Sequence, residues 1–99
     1  MLPKKKVEVV ALLIETIEAK IKLAIPGADV RVFNPQNDGL HFSAQVISDQ
    51  FLKCSKLTQH KMVKSALKEY FDSFELHAMR LETFTQEEWK TLNKRDLND

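Results

Sequence analysis

The alternation that decides the fold is His41-Phe42-Ser43-Ala44-Gln45-Val46. Apolar and polar residues alternate along it with the period of a β-strand that has one buried face and one face in water. A shorter alternation from Val30 to Phe33 precedes it, and the turn-forming residues 34–39 separate the two segments. The two segments therefore predict antiparallel strands joined by a hairpin-like loop.

Segments with helical periodicity lie on both sides of this strand pair. From Val7 to Ile25 apolar residues recur at steps of three and four, and Pro26-Gly27 ends the segment. The same period returns from Lys56 to Phe74. Both segments predict amphipathic helices that bury their apolar stripes against the sheet.

The C-terminal third supplies one more strand and one more helix. Residues Glu75 to Phe84 alternate again, and Thr85-Gln86-Glu87-Glu88 has the form of a capping box, with Glu three residues after Thr. A short helix should follow, pinned to the core through Phe84 and Trp89. A strand reached through a long helical crossover runs parallel to the strand it left, with a right-handed connection. The predicted order is helix-strand-strand-helix-strand-helix, an α/β fold with a three-stranded mixed sheet and helices packed on one face.

Composition limits the kinds of protein that this chain can be. Its 99 residues, 43% hydrophobic and 29% charged, suit a single domain. A net charge of +1 leaves any nucleic-acid role to a local cluster of charge. Cys54 is the only cysteine, which excludes an internal disulfide and fits a reducing, cytoplasmic compartment. The longest apolar run, Val9 to Ile14, is too short to span a membrane.

Five short motifs make the chain recognisable. They are Leu40-His41-Phe42, Val46-Ile47-Ser48-Asp49-Gln50-Phe51, Gln59-His60-Lys61-Met62-Val63, Leu76-His77-Ala78 and Thr85-Gln86-Glu87-Glu88-Trp89. In order and spacing they resemble the BolA family, over about residues 16 to 90. Within a single domain this leaves residues 6–15 as an N-terminal extension of the first helix and residues 93–99 as a frayed tail.

The resemblance implies a type-II KH-like α/β topology, which agrees with the order derived from periodicity. It also implies a partnership with monothiol glutaredoxins, in which the two proteins share a [2Fe–2S] cluster. The glutaredoxin and its glutathione hold one side of the cluster, and the BolA-like protein supplies a C-terminal histidine that corresponds to His77. A second ligand comes from the loop before the second strand, where this chain offers His41. The leading hypothesis is therefore an interaction protein in iron–sulfur trafficking or iron regulation.

The two histidines begin neighbouring strands. If those strands are parallel, both residues lie at the same end of the sheet, on strands about 4.8 Å apart. However, His77 shares parity with Met79, whereas His41 has the opposite parity to Phe42. The two side chains converge only if the strand starts are twisted or if His41 still belongs to the loop. Cys54 follows the far end of the second strand and is interpreted as a small buried side chain rather than a ligand.

Two positions depart from the family pattern. The family often has glycine shortly after the position of Phe51, where this chain has Lys53, so a different backbone conformation is open there. The usual proline before Glu-Glu-Trp is Gln86 here. This second change should cost little, because the capping box that begins the helix is kept.

A basic face suggests an alternative function. Lys61, Lys64 and Lys68 share one face of the predicted crossover helix and could contact nucleic-acid phosphates, as in a DNA-binding transcriptional regulator. The more common interpretation of lysines opposite an apolar stripe is a solvated face. The sequence has no Gly-x-x-Gly loop, HExxH or CxxC motif and no nucleophile elbow, so we expect the protein not to be an enzyme.

Overall fold

The computed structural model describes residues 4–36, 39, 41–73, 76 and 78–97, with side chains described only between residues 8 and 93. Helices and strands follow the predicted order, except that the crossover contains two helices. Helix α1 spans Lys4–Ala24, β1 Asp29–Phe33, β2 His41–Ile47, a short 3-10 turn Asp49–Phe51, α2 Lys56–Ala66, α3 Lys68–Asp72, β3 Ala78–Phe84 and α4 Gln86–Leu97. Among these helices, none combines the length and apolar character needed to cross a membrane.

The sheet has the predicted mixed topology. Its strand order is β1-β2-β3, with β1 antiparallel to β2 and β2 parallel to β3. In this register Val32 lies opposite Ala44, and Phe42 lies opposite Met79. The antiparallel pair follows from the short loop, and the parallel pair follows from the helical crossover that returns the chain to the same edge.

The core lies between one face of the sheet and two helices. The inward residues of the first two strands are buried, whereas their neighbours in sequence are exposed or half-buried, as the alternation predicts. Helix α1 buries the stripe that periodicity identified. The buried core residues include Ile17, Ile21, Ile25, Val30, Val32, Phe42, Ala44, Val46, Val63 and Leu67.

The crossover is two helices rather than the single helix expected from Lys56 to Phe74. It breaks at Leu67, where φ is −110° and ψ is 9°, and the Leu67 N–H donates to the carbonyl of Lys64 at 3.1 Å. Leu67 is fully buried. Hydrophobic spacing did not reveal the break, because apolar residues continue at the helical period through Tyr70 and Phe71 on the far side of it.

Element ends also differ from those expected. Helix α1 begins at Lys4 rather than Val7, because lysine is a good helix former that an apolar pattern does not register. Strand β3 begins at Ala78 rather than Glu75, and residues 74, 75 and 77 lie outside the described residues. Helix α4 continues to Leu97, past the Asn93 at which we expected a tail.

The C-terminal helix contributes to the face of the sheet opposite the core. The Trp89 ring lies 5.4 Å from the ring of Phe84, at an interplanar angle of 57°. The guanidinium carbon of Arg31, an exposed residue of β1, lies 5.0 Å from the Trp89 centroid. Phe84 and Trp89 were expected to pin this helix to the core, but they instead pack against each other on the outer face, while α1 and α2 cover the inner one.

Candidate functional site

His41 lies where two strands begin side by side. It is the first residue of β2 and pairs with Ala78, the first residue of β3. Because β2 and β3 run parallel, their first residues share one edge of the sheet. His41 is exposed, and the next residue, Phe42, is 2% exposed. His41 therefore belongs to the strand rather than to the loop, on the outer face of the sheet.

A shallow, open pocket surrounds this edge on the outer face. Phe33 contributes an aromatic ring that is 47% exposed, although the outward positions of β1 are otherwise charged. Arg80 contributes a cation, and it lies opposite Ser43 in the parallel register. The lining residues are Phe33, Pro35, Gln36, His41, Phe42, Ser43, Ala78 and Arg80.

Sequence reasoning missed Phe33 and Arg80 as part of this edge. An apolar residue at an outward position of a strand was the available signal for Phe33. Arg80 had no such signal, because a charged side chain is ordinary on a solvated face. An imidazole, a guanidinium and an exposed aromatic ring at one open edge combine a metal-ligating nitrogen with groups that suit contact with a partner protein.

His77, the other predicted ligand, lies outside the described residues. The residues on either side of it are described: Leu76 is 1% exposed, and Ala78 is exposed. Convergence of the two histidines therefore stays a prediction. Among the residues that the structure describes, no group of three or more His, Cys, Asp or Glu side chains is placed to hold a metal ion.

A family model described as BolA-like protein matches residues 17–88. The chain belongs to the BolA family. An Escherichia coli relative, "DNA-binding transcriptional regulator BolA", is 32% identical over 85 residues, which cover 79% of this chain and 80% of the relative. The solved structure of a BolA homologue from Coxiella burnetii is 30% identical with a TM-score of 0.65, over 77% of this chain and 94% of that one.

Two further relatives are matched over less than two thirds of their own length. An uncharacterised Haemophilus influenzae protein is 34% identical over 55 residues, which cover 56% of this chain and 65% of the relative. A BolA-like protein of Dictyostelium discoideum is 28% identical over 64 residues, which cover 65% of this chain and 56% of the relative. The chain thus matches only part of the length of these two relatives.

Cys54 lies beyond the opposite end of β2 from His41, as the strand order predicted. Its thiol is half-buried and donates to the carbonyl of Gln50 at 3.7 Å. Cys54 is the last residue of the turn Phe51-Leu52-Lys53-Cys54, and its N–H closes the turn by donating to the carbonyl of Phe51 at 3.0 Å. Cys54 therefore lies one strand length away from the sheet edge at which β2 and β3 begin.

The same turn shows the backbone conformation at Lys53, the position at which the family often has glycine. Leu52 has φ −56° and ψ 135°, and Lys53 has φ +65°. These angles are those of a type II turn, which needs a positive φ at its third residue and therefore favours glycine there. This BolA-family chain keeps the backbone conformation that suits glycine and places an exposed lysine in it.

The start of α4 confirms the predicted capping box. The Glu88 carboxylate accepts from the Thr85 N–H at 2.8 Å, and the Thr85 hydroxyl accepts from the Glu88 N–H at 3.2 Å. The hydrogen bond from the Thr85 N–H, and secondarily the charge of Lys56, lowers the pKa of Glu88. Gln86, in the place of the usual proline, donates its N–H to the Asp49 carboxylate at 3.1 Å, a bond that proline cannot make.

The basic face is divided by the break in the crossover. Lys61 and Lys64 are exposed on α2, whereas Lys68 begins α3. The Lys68 ammonium lies 2.5 Å from the Asp72 carboxylate, and the hydrogen bond to Asp72 raises the pKa of Lys68. Part of the charge of this face is thus already paired within the chain.

Proposed function

We propose that this protein binds a monothiol glutaredoxin and shares a [2Fe–2S] cluster with it, with His77 and His41 as the ligands from this chain. One observation carries the proposal: His41 and Ala78 begin two parallel strands next to each other at an open edge of the sheet. The family membership supports it, because the matched residues 17–88 include both histidines. The proposed role is that of an interaction protein of the cytosol in iron–sulfur trafficking or iron regulation.

Covalent geometry supports a common site for the two ligands. Consecutive Cα atoms are about 3.8 Å apart, and neighbouring strands are about 4.8 Å apart. His77 precedes Ala78 directly, and Ala78 is the strand partner of His41. Their Cα atoms are therefore one residue step and one strand spacing apart, and the proposal requires the chain before Ala78 to turn the His77 side chain toward the outer face on which His41 lies.

The donor chemistry fits the proposed group. Imidazole nitrogen replaces thiolate on iron in some iron–sulfur centres. In this proposal the remaining ligands come from the glutaredoxin and its glutathione. The imidazoles must be unprotonated to ligate iron, so acidification should weaken the shared complex while leaving the docking of apo-glutaredoxin less affected. Phe33 and Arg80, exposed at the same edge, would contact the partner around the ligands.

The test is visible circular dichroism of a cluster-loaded monothiol glutaredoxin titrated anaerobically with this protein. We expect the spectrum to change on mixing, the change to be lost with His77→Ala and to be reduced with His41→Ala. His60→Ala is the matched control, because His60 is a half-buried histidine on α2 and should leave the change intact. An unchanged spectrum on mixing, or the same change with His77→Ala as with the wild type, would refute the proposal.

A second candidate function is DNA binding through Lys61, Lys64 and Lys68. Two observations favour it: the name of the E. coli relative and the exposure of these lysines on the described surface. Each phosphate contact that is lost should reduce the salt slope of DNA affinity by about 0.9. Because Lys68 is paired with Asp72, we expect Lys61→Gln and Lys64→Gln to flatten the slope more than Lys68→Gln does.

Duplex DNA titrated at several salt concentrations provides the measurement. Lys22→Gln is the control, since Lys22 is an exposed lysine on α1. An unaltered slope after neutralisation of Lys61, Lys64 and Lys68 together would exclude this face as a DNA-binding surface.

A further inference from the structure

Helix α1 carries a second apolar stripe that the core does not use. Its largest members are strongly exposed, with Val9 at 60%, Leu12 at 62% and Leu23 at 77%. Ala19 is exposed and Thr16 is half-buried. At 100° per residue, this stripe is centred roughly 140° around the helix axis from the buried stripe of Ile17 and Ile21. We refer to Val9, Leu12, Thr16, Ala19 and Leu23 as the outer seam.

The spacing of the outer seam is that of a coiled coil. Its steps are three, four, three and four residues, the a and d positions of two heptads, over about 21 Å of helix. The one polar member, Thr16, donates its hydroxyl to the carbonyl of Leu12 at 2.8 Å. This bond satisfies the hydroxyl within the helix, so Thr16 does not need water or a polar partner at the seam.

Charges of opposite sign flank the outer seam. In the heptad defined by Val9 as a, Glu15 takes position g on one flank and Lys20 takes position e on the other. When two such helices pair in parallel and in register, Glu15 of each faces Lys20 of its partner. In an antiparallel pair the flank that carries Glu15 meets the same flank of the partner, which also carries Glu8 and Lys22 at g positions, so attractive and repulsive pairs both occur there. Glu15 and Lys20 suit a second copy packed in parallel and in register, where they pair on both flanks.

We propose that this protein self-associates through the outer seam, with the α1 helices of two copies packed in parallel and in register. Val9, Leu12 and Thr16 precede residue 17, where the family match begins, so three of the five seam residues lie outside the matched domain. Val9, Leu12 and Thr16 line one pocket with Gly39, two residues before His41, so this part of the seam lies beside the loop that leads to β2. Self-association is measured on this protein alone, so its test does not depend on the proposed glutaredoxin contact.

The expected dimer is reversible. Two heptads are too short to form a stable coiled coil from free peptides, because each helix must first be ordered. Here α1 is already held by burial of Ile17, Ile21 and Ile25 against the sheet. Association therefore does not have to order the helix and has only to align two preformed surfaces. We expect exchange between monomer and dimer in the micromolar range of concentration.

Sedimentation velocity across a concentration series tests the seam. The wild type should shift from monomer to dimer, and Leu12→Glu should weaken the dimer by about tenfold or more, because a charge at a d position is buried in the interface. Leu57→Glu is the matched control: Leu57 is 66% exposed and lies on α2. A wild type that stays monomeric, or equal weakening by Leu57→Glu, would overturn the proposal.

A charge exchange tests the parallel register. Glu15→Lys and Lys20→Glu should each weaken the homodimer, because each places like charges across both flanks. An equimolar mixture of the two variants should restore dimer formation, since every flanking pair then has opposite signs. Lys20 also lies 3.2 Å from Glu69 in its own chain, so far-ultraviolet circular dichroism must show that Lys20→Glu is folded. A mixture no more dimeric than either variant alone would refute the parallel arrangement.

Discussion

The hydroxyl of Thr83 on β3 donates a 2.7 Å hydrogen bond to the side-chain carbonyl of Gln59 on α2. Both side chains are buried, at 2% and 4% exposure. The amide nitrogen of Gln59 donates in turn to the backbone carbonyls of Cys54 at 2.9 Å and Phe51 at 3.3 Å. One buried polar network therefore joins the crossover helix, the preceding turn and the third strand.

Thr83→Val should lower the free energy of unfolding by about 1–3 kcal/mol, because it keeps the shape of the side chain but leaves the Gln59 carbonyl buried without its donor. Urea denaturation at neutral pH provides the measurement. In a Gln59→Leu background, where the acceptor is already gone, the same substitution should cost much less. Equal costs in the two backgrounds would show that this hydrogen bond does not contribute.

Lys53→Gly should raise the free energy of unfolding by about 0.5–1 kcal/mol, because Lys53 has a φ of +65° that only glycine adopts without strain. The lysine is exposed, so its removal should lose little packing. Leu52→Gly is the control, since Leu52 has φ −56° and gains nothing from glycine. Thermal unfolding distinguishes the two, and a less stable Lys53→Gly variant would argue against strain in this turn.

Gly39→Ala should destabilise the fold more than Gly27→Ala does. Both glycines have a positive φ, +70° and +84°, and a side chain should cost about 1–2 kcal/mol at each for that reason. A Cβ on Gly39 would also lie 3.0 Å from Cγ2 of Val10, whereas nothing lies within 4 Å at Gly27. Chemical denaturation of both variants, and of Gly39→Ala with Val10→Ala, separates the contact from the strain. Equal losses at both glycines would contradict the contact.

Glu88→Gln should destabilise the protein by about 0.3–1 kcal/mol at neutral pH, because the charged carboxylate accepts from the Thr85 N–H and lies 3.7 Å from the Lys56 ammonium. The pKa of Glu88 is lowered by its hydrogen bond from the Thr85 N–H, so this contribution is present above the ordinary glutamate pKa of 4.5 and is lost as pH falls through the lower folded pKa. Urea titrations at pH 7 and below pH 4 (two conditions chosen on either side of about 4.5) provide the measurement.

Glu87→Gln is the control for this prediction, because Glu87 occupies the same helical turn but has no place in the capping box. It should show a smaller difference from the wild type at neutral pH. A difference between wild type and Glu88→Gln that persists unchanged in acid would contradict the role of the charge.

Much of the fold could be predicted from local patterns. The alternation around Phe42 predicted an inner and an outer face, and the Thr85 to Glu88 spacing predicted the capping box and the start of α4. Each of these features depends on residues a few positions apart, which is the range over which periodicity and capping act. The candidate edge was predicted only in part, because strand order places His41 at one end of the sheet but does not determine which residue lies beside it.

The sequence by itself determined the order of helices and strands and the parallel return of the third strand, since chain connectivity and hydrophobic period are local properties. Only the tertiary structure decided that His41 lies opposite Ala78 and that Gln59 meets Thr83, 24 residues away. It also decided the left-handed backbone of Lys53. The first two features depend on strand register and close packing between distant segments, which are set by the folded whole rather than by any short stretch of chain.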